Sequence, residues 1–436
     1  MKYYLAIDLG ASSGRHIIGY RNSHNELILD EVYRFKDYLQ KQDNHLIWNI
    51  DFIFEEVKKG IKKALEKYQN IESMSIDSWG VDYVLMNGDK EIYPCYCYRD
   101  QRTKKVIKEV HSKISFEELY KITGTQFQEF NTIYQLYDDY KNNRLNQASD
   151  FLMIPEYLIY KLTGIKKKEF TNASTTGLFD YNQQDYSQEI MNKLGFNKKM
   201  FSKVYKPKTI VGNFLKEIQQ EVGGNILVKL CPSHDTASAV EGIPMQENSP
   251  YISSGTWSLL GLKISNPITN QEALSANYSN ESGPNYIRFQ KNIMGLWIIQ
   301  NLSRQMNFTF PEMVELAKKS PYNEVFDVND EMFLSSLDMR QTIKDYFAKR
   351  KMILPKNDED YINSTFISLA FSYKDSLEEL ENITKAKFDK LYIVGGGAKN
   401  TYLNNLTEEI TGKKVIALPI EATAIGNLLS QMEELK

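Results

Sequence analysis

Residues 8–15 read Asp8-Leu9-Gly10-Ala11-Ser12-Ser13-Gly14-Arg15 and follow an apolar run, Tyr3-Tyr4-Leu5-Ala6-Ile7. A buried strand that delivers an aspartate, a small-residue turn and an arginine suits an anion. Glycine lets backbone N–H groups approach a ligand, and clustered N–H and hydroxyl groups make an anion-binding concavity. A carboxylate at the strand end can hold the metal that accompanies a polyphosphate. The competing reading is an ordinary β-hairpin that carries an aspartate. A second chemical element follows the apolar run 226–230, which Cys231-Pro232-Ser233 breaks before His234-Asp235-Thr236 opens a helix of small residues. The macrodipole favours an ionised aspartate in a first helical turn, so Asp235 can accept a hydroxyl proton as that oxygen attacks phosphorus. The plainer use of such an acid is to stabilise a helix start.

These residues need elements to position them. Apolar stretches at 3–7, 15–20 and 26–35, separated by short polar turns, predict an antiparallel meander. Asp51 is a candidate N-cap for a helix whose Ile53, Val57, Ile61 and Ala64 recur at helical spacing. A strand over 71–77 follows, and Asn87-Gly88 marks a hairpin. Residues 100–220 read as a helix-rich, polar insertion or lid carried by the first domain. The opening grammar recurs later: Tyr251-Ile252 leads into Ser253-Ser254-Gly255-Thr256-Trp257-Ser258, and Leu259-Leu260-Gly261-Leu262 resumes a strand. Leu391-Tyr392-Ile393-Val394 then runs into Gly395-Gly396-Gly397 ahead of a helix. Two such units predict a duplicated α/β fold with its ligand between the halves. Linker composition at Gly242-Ile243-Pro244-Met245 sets domains over 1–244 and 245–436.

Composition excludes several classes. With 436 residues, 42% hydrophobic and 25% charged, the chain can build packed cores. A net charge of −3 carries no electrostatic footprint for nucleic acid. Lys166-Lys167-Lys168 reads as a solvated turn. Cys95, Cys97 and Cys231 form no disulfide framework, and His16, His24, His45, His111 and His234 are too scattered for a histidine metal site. No signal segment or membrane span is visible, so the expectation is a soluble, cytoplasmic protein without nucleic-acid or membrane partners. Some side chains stay ambiguous. Trp79 either shapes a ligand pocket or packs in a core; Arg99 and Arg102 either reach a phosphate or join an ion-pair network; Cys95 and Cys97 read as buried thiols. His234 either orients Asp235 or a ligand, or is structural.

Ordered along the chain stand AIDLGASSGR at 6–15, DSWGVDYVL at 77–85, YRDQRT at 98–103, FNTIYQLY at 130–137 and TNASTTGLFD at 171–180. SHDTASAV at 233–240, SSGTWSLLG at 253–261, KNIMGLW at 291–297, IVGGG at 393–397 and EATAIGN at 421–427 continue the series. On these stretches the chain resembles the FGGY carbohydrate kinases, and among them the rhamnulokinases. The resemblance implies an α/β fold of two actin-like ATPase (ribonuclease H-like) domains, with ATP and sugar meeting in an interdomain cleft. It also implies ATP-dependent phosphorylation of L-rhamnulose at its 1-hydroxyl, with a small-molecule ketose as partner and ATP and Mg2+ as cofactors. Carried onto matching positions, Ala11, Ser12, Ser13, Gly14 and Arg15 would contact nucleotide phosphates, and Thr256, Gln300 and Gly396 would complete the ATP site. Gly80, His234, Asp235, Thr236 and Asn292 would hold the ketose, Asp235 being the catalytic base. Asp8 matches a position that commonly holds magnesium, often through water. Other ketoses or polyols (L-fuculose, L-xylulose, D-xylulose, glycerol) remain alternative substrates, and a non-catalytic nucleotide clamp is the rival from another class. The chain stops at Lys436, soon after EATAIGN, which puts any oligomer implied by the resemblance in doubt.

Overall fold

The computed structural model describes residues 1–246, 248–334, 336–418 and 421–432. Its first compact unit comprises Met1–Pro244, Ser265–Arg288 and the C-terminal stretch from Glu421; Met245–Ile264 and the stretch from Phe289 form the second. In the first unit the opening strand Tyr3–Leu9 pairs antiparallel with Ser13–Arg21 and parallel with Ile71–Ser78. The sheet runs Ile210–Gly212, Leu227–Lys229, Ile71–Ser78, Tyr3–Leu9, Ser13–Arg21, Leu27–Lys36. The meander and the Asn87-Gly88 hairpin form as expected.

Strand alternation divides the opening strand between two cores. Leu5, Ile7 and Leu9 pack with Ile53, Val57 and Ile61 of the helix Ile50–Lys67. Tyr4 and Ala6 face the other way, against Leu428 and Met432. Asp8 falls on this second face by the same alternation. Asn49, not Asp51, caps the helix Ile50–Lys67, accepting from the Phe52 N–H; Asp51 lies inside the first turn.

Two segments placed by sequence in the second domain pack by contact with the first. The C-terminal helix Ala422–Gln431 is drawn there by polar residues in an otherwise apolar face. Asn427 Nδ2 donates to Asp77 Oδ2 at 2.6 Å, and Gln431 Nε2 donates to the Leu5 carbonyl at 3.0 Å. The 265–288 segment is tied by the Tyr120 hydroxyl, which donates to the Tyr278 carbonyl at 2.6 Å, and by the Ser282 N–H, which donates to Ser174 Oγ at 2.8 Å.

The 100–220 region is more than a helical insertion. It carries the strand Asp150–Met153, which pairs with Tyr83–Asn87, and the edge strand Ile210–Gly212 of the main sheet. Its helices enclose a second core around Ile133, Tyr137 and Phe151. Arg102 resolves as structural: its buried guanidinium bonds Asp138 at 2.9 Å and Asp139 at 3.0 Å. Arg99 lies over the Tyr98 ring. Lys168 departs from the solvated-turn reading, being fully buried with Nζ 2.9 Å from Asp150 and donating to the Phe151 carbonyl. The three cysteines are buried, and burial raises each thiol. Among the described residues no helix is long and apolar enough to cross a membrane.

The second unit repeats the opening arrangement. Tyr251–Ser254 pairs antiparallel with Trp257–Ile264 and parallel with Lys390–Val394, which pairs parallel with Lys414–Ala417. The 27-residue helix Asp358–Thr384 starts at an Asn357 cap and buries Phe366, Leu369 and Leu377.

His16 tests the first core. Burial lowers it to about 4, against a weaker opposing pull from its 3.1 Å contact with the Val57 carbonyl. The unfolded chain therefore binds a proton that the fold refuses, and stability falls as pH drops from about 6.5 towards 4, by up to about 3 kcal/mol. In His16→Leu, urea denaturation across that window should give a shallower slope than in the unsubstituted chain.

Candidate active site

The first site element begins where the opening strand ends. The chain turns at Gly10-Ala11-Ser12, closed by a 3.0 Å bond from the Gly10 N–H to the Ser13 carbonyl, while the Tyr38 hydroxyl donates to the Gly10 carbonyl. Only Ala11 and Ser12 form the tip; Ser13, Gly14 and Arg15 already belong to the next strand. Gly14 leaves no room for a side chain there, since a Cβ would be driven into the Phe35 ring. Arg15 is engaged by carboxylates, Asp8 at 2.5 Å and Glu421 at 2.5 Å.

Sheet register concentrates negative charge beside that arginine. Asp8 and Asp77 stand opposite one another on neighbouring parallel strands. Burial raises Asp8, Arg15 pulls it down, and Asp235 and Glu421 push it up again. Asp77 is held well above the usual carboxylate range by burial and by Asp8, against the donation from Asn427, with Asp235 adding to the rise. Its Oδ1 is buried without a hydrogen-bond partner. Sequence reading missed Asp77 as a site residue, although it opens the DSWG stretch.

A parallel bridge joins Ser78 to His234 and sets the second element, with the Ser78 N–H donating to the Ser233 carbonyl at 2.9 Å. The turn before His234 is held from below by Glu169, whose Oε2 accepts from the Ser233 N–H at 3.2 Å and Ser233 Oγ at 2.7 Å. The same carboxylate accepts from Thr171 and Asn172, and Thr171 Oγ1 accepts the His234 N–H at 3.2 Å. This gives the TNASTTGLFD stretch a structural use. Gly80 sits tight: a Cβ there would lie 3.3 Å from the His234 ring and 3.2 Å from Thr175 Oγ1. Trp79 resolves as core. It stacks on Tyr38 at 6.0 Å, lies 4.4 Å from Trp48, and donates to Asp82 at 3.0 Å.

Asp235 opens the helix Asp235–Glu241, with His234 as its N-cap residue. Thr236 Oγ1 donates to Asp235 Oδ1 at 3.1 Å, and His234 Nε2 lies 3.5 Å from the same oxygen. Among the described residues, none donates to Oδ2. The helix is pinned by glycine-to-backbone contact with the C-terminal helix: a Cβ on Gly426 would overlap the Ser238 carbonyl, and one on Gly242 the Ala422 carbonyl. The structure thus gathers Asp8, Arg15, Asp77 and Asp235 in one charged neighbourhood, and Gly80, His234, Asp235 and Thr236 in another that shares Asp235.

The remaining expected contacts lie in the second unit. Thr256 occupies the turn between Tyr251–Ser254 and Trp257–Ile264, and its Oγ1 donates to Gln300 Oε1 at 3.3 Å. Gly395 has φ +83° and abuts the Ser254 backbone, whereas a Cβ on Gly396 would meet open space. Asn292 lies on the strand Ile287–Met294.

Two family models tile this sequence. The N-terminal domain of the FGGY family of carbohydrate kinases matches residues 3–242, and the C-terminal domain matches 250–433. The chain belongs to the FGGY family of carbohydrate kinases. Among relatives of this FGGY kinase, the rhamnulokinase of Oceanobacillus iheyensis is 44% identical over 98% of this chain and 92% of that protein. The rhamnulokinase of Bacillus subtilis is 37% identical over 98% and 90%. Xylulose kinase from Lactobacillus acidophilus shares the fold with a TM-score of 0.82 at 16% identity, covering 99% of this chain and 89% of that one. Plasmodium falciparum glycerol kinase with ADP does so at 0.78 and 15%, covering 99% and 89%. The fold is therefore the two-domain, actin-like α/β fold of these kinases.

Gly426→Ala should destabilise the first unit by about 2–3 kcal/mol, the usual cost of overpacking, measured by urea denaturation. Glu169→Ala should cost about 3 kcal/mol by stranding the buried donors of Ser233 and Thr171, read in the same way.

Proposed function

We propose that this FGGY kinase transfers the terminal phosphoryl group of ATP to the 1-hydroxyl of L-rhamnulose, giving L-rhamnulose 1-phosphate and ADP. Identity of 44% and 37% to rhamnulokinases, over nearly the whole of each chain, carries the substrate assignment. For the chemistry, the supporting observation is Asp235, one of whose oxygens is held by Thr236 while the other accepts from no described residue.

Asp235 takes the proton from the 1-hydroxyl. It need not be a strong base, because phosphoryl transfer passes through a loose transition state and the hydroxyl becomes acidic as it bonds to phosphorus. Gly80, His234, Thr236 and Asn292 orient the ketose. Ala11, Ser12 and Ser13 present hydroxyl and backbone donors to the nucleotide phosphates. Gly14 keeps the turn close to its strand, and Arg15 supplies positive charge once shared with Asp8 and Glu421. Thr256, Gln300 and Gly396 complete nucleotide binding, the open face of Gly396 leaving room for a ligand at the backbone.

The donor set fits a magnesium ion. Asp8 and Asp77 offer hard oxygen donors, and Asp77 Oδ1 has no hydrogen-bond partner. Among the described residues no group of three metal-binding side chains converges. Asp8 would hold it, in part through water, and the bound ion would neutralise polyphosphate charge.

ADP production with a panel of L-rhamnulose, L-fuculose, L-xylulose, D-xylulose and glycerol tests the assignment. L-Rhamnulose should give the highest kcat/KM; a different best substrate would overturn the substrate and leave the kinase. Asp235→Asn should lower kcat by about 10²–10⁴-fold while keeping ATP affinity, and unchanged turnover would remove the base.

A further inference from the structure

The residues around His234 include two that no expected role covers. Arg288 is a fully buried arginine, and Glu281 a buried glutamate. Arg288 Nε donates to the Ser282 carbonyl at 3.2 Å. Its Nη2 carries two hydrogens and has two acceptors in reach, Glu281 Oε2 at 3.1 Å and His234 Nδ1 at 3.2 Å. A guanidinium can only donate. For that contact to be a hydrogen bond the imidazole nitrogen must present a lone pair, which leaves the ring proton on Nε2. That nitrogen lies 3.5 Å from Asp235 Oδ1, the oxygen already bonded by Thr236.

We propose that Glu281 and Arg288 are positioning residues that fix His234 as its Nε2–H tautomer, so that His234 and Thr236 hold Asp235 Oδ1 and leave Oδ2 to take the substrate proton. This rests on the reading of Asp235 as the base. Glu281 balances a guanidinium that would otherwise be an uncompensated buried charge. Burial alone would raise Glu281, but the Arg288 guanidinium is the largest opposing influence and keeps it ionised. The competing tautomer would put a hydrogen on Nδ1, aimed at Glu281 Oε2 at 3.4 Å, and set it against the Arg288 N–H.

The intact chain has five histidines, so 15N-histidine labelling with long-range 1H–15N NMR can resolve them, His234→Asn giving the assignment. The expected result is an unprotonated Nδ1 and a protonated Nε2 at His234. In Arg288→Met the preference should relax towards Nδ1–H. The kcat should fall about 10–100-fold, as for a misplaced catalytic group, with a much smaller change in KM; Arg288→Lys should restore part of it. An Nδ1–H tautomer in the unsubstituted chain would overturn the proposal, and so would an unchanged kcat in folded Arg288→Met. The tautomer is read without turnover. Loss of activity in Asp235→Asn beside an Nδ1–H His234 would therefore sink this proposal and leave the base standing.

Discussion

Parallel pairing of Tyr3–Leu9 with Ile71–Ser78 sets Asp8 opposite Asp77, and buried like charges on neighbouring strands repel. Everything around the first site answers that repulsion. Arg15 on the adjacent antiparallel strand reaches Asp8, Asn427 donates to Asp77, and Asp77 is pushed towards its protonated form. Asp235 adds a third carboxylate through the bridge between Ser78 and His234. Such a concentration of acid works against stability in the protein alone. A cationic ligand would relieve it.

The same constraint explains how the first unit is assembled. The face carrying Asp8 and Asp77 cannot be sealed by an apolar helix alone, because Ser73, Ser75 and Asp77 point there beside Tyr4 and Ala6. The helix Ala422–Gln431 meets it with a mixed surface, Leu428 for the apolar part and Asn427 and Gln431 for the polar part. Its glycine, Gly426, admits the helix that begins at Asp235. One element from the far end of the chain thus braces both a carboxylate of the opening strands and the helix that begins at Asp235.

Buried polar networks do the remaining positioning. Glu169 gathers the donors of Thr171, Asn172 and Ser233 under the turn before His234, and Asp82 gathers the indole N–H groups of Trp48 and Trp79. Burial raises Asp82 to about 6, against the pull of those donors. In both networks a carboxylate exchanges hydration for several protein donors, which fixes loop geometry more tightly than apolar packing would. Trp79 is accordingly a core residue, although it lies within a stretch characteristic of the family.

Much of this protein was legible in its residues. Alternation in 3–9, the Asn87-Gly88 turn and the glycine-rich loops at 10–14 and 395–397 are local signals, set by backbone conformations that depend on near neighbours. The ordered family stretches point to Asp8, Arg15, Gly80, His234, Asp235 and Thr236 as candidates, and these lie close together in the first unit. Other features depended on contacts between residues well separated along the chain. No local pattern marks Lys168 as buried rather than solvated, assigns 265–288 and the C-terminal helix to the first unit, or pairs Arg288 with His234. Local sequence determines which backbone shapes and reactive groups are available, whereas strand register and helix docking decide which charges meet, because electrostatic energy depends on distance in space and not along the chain.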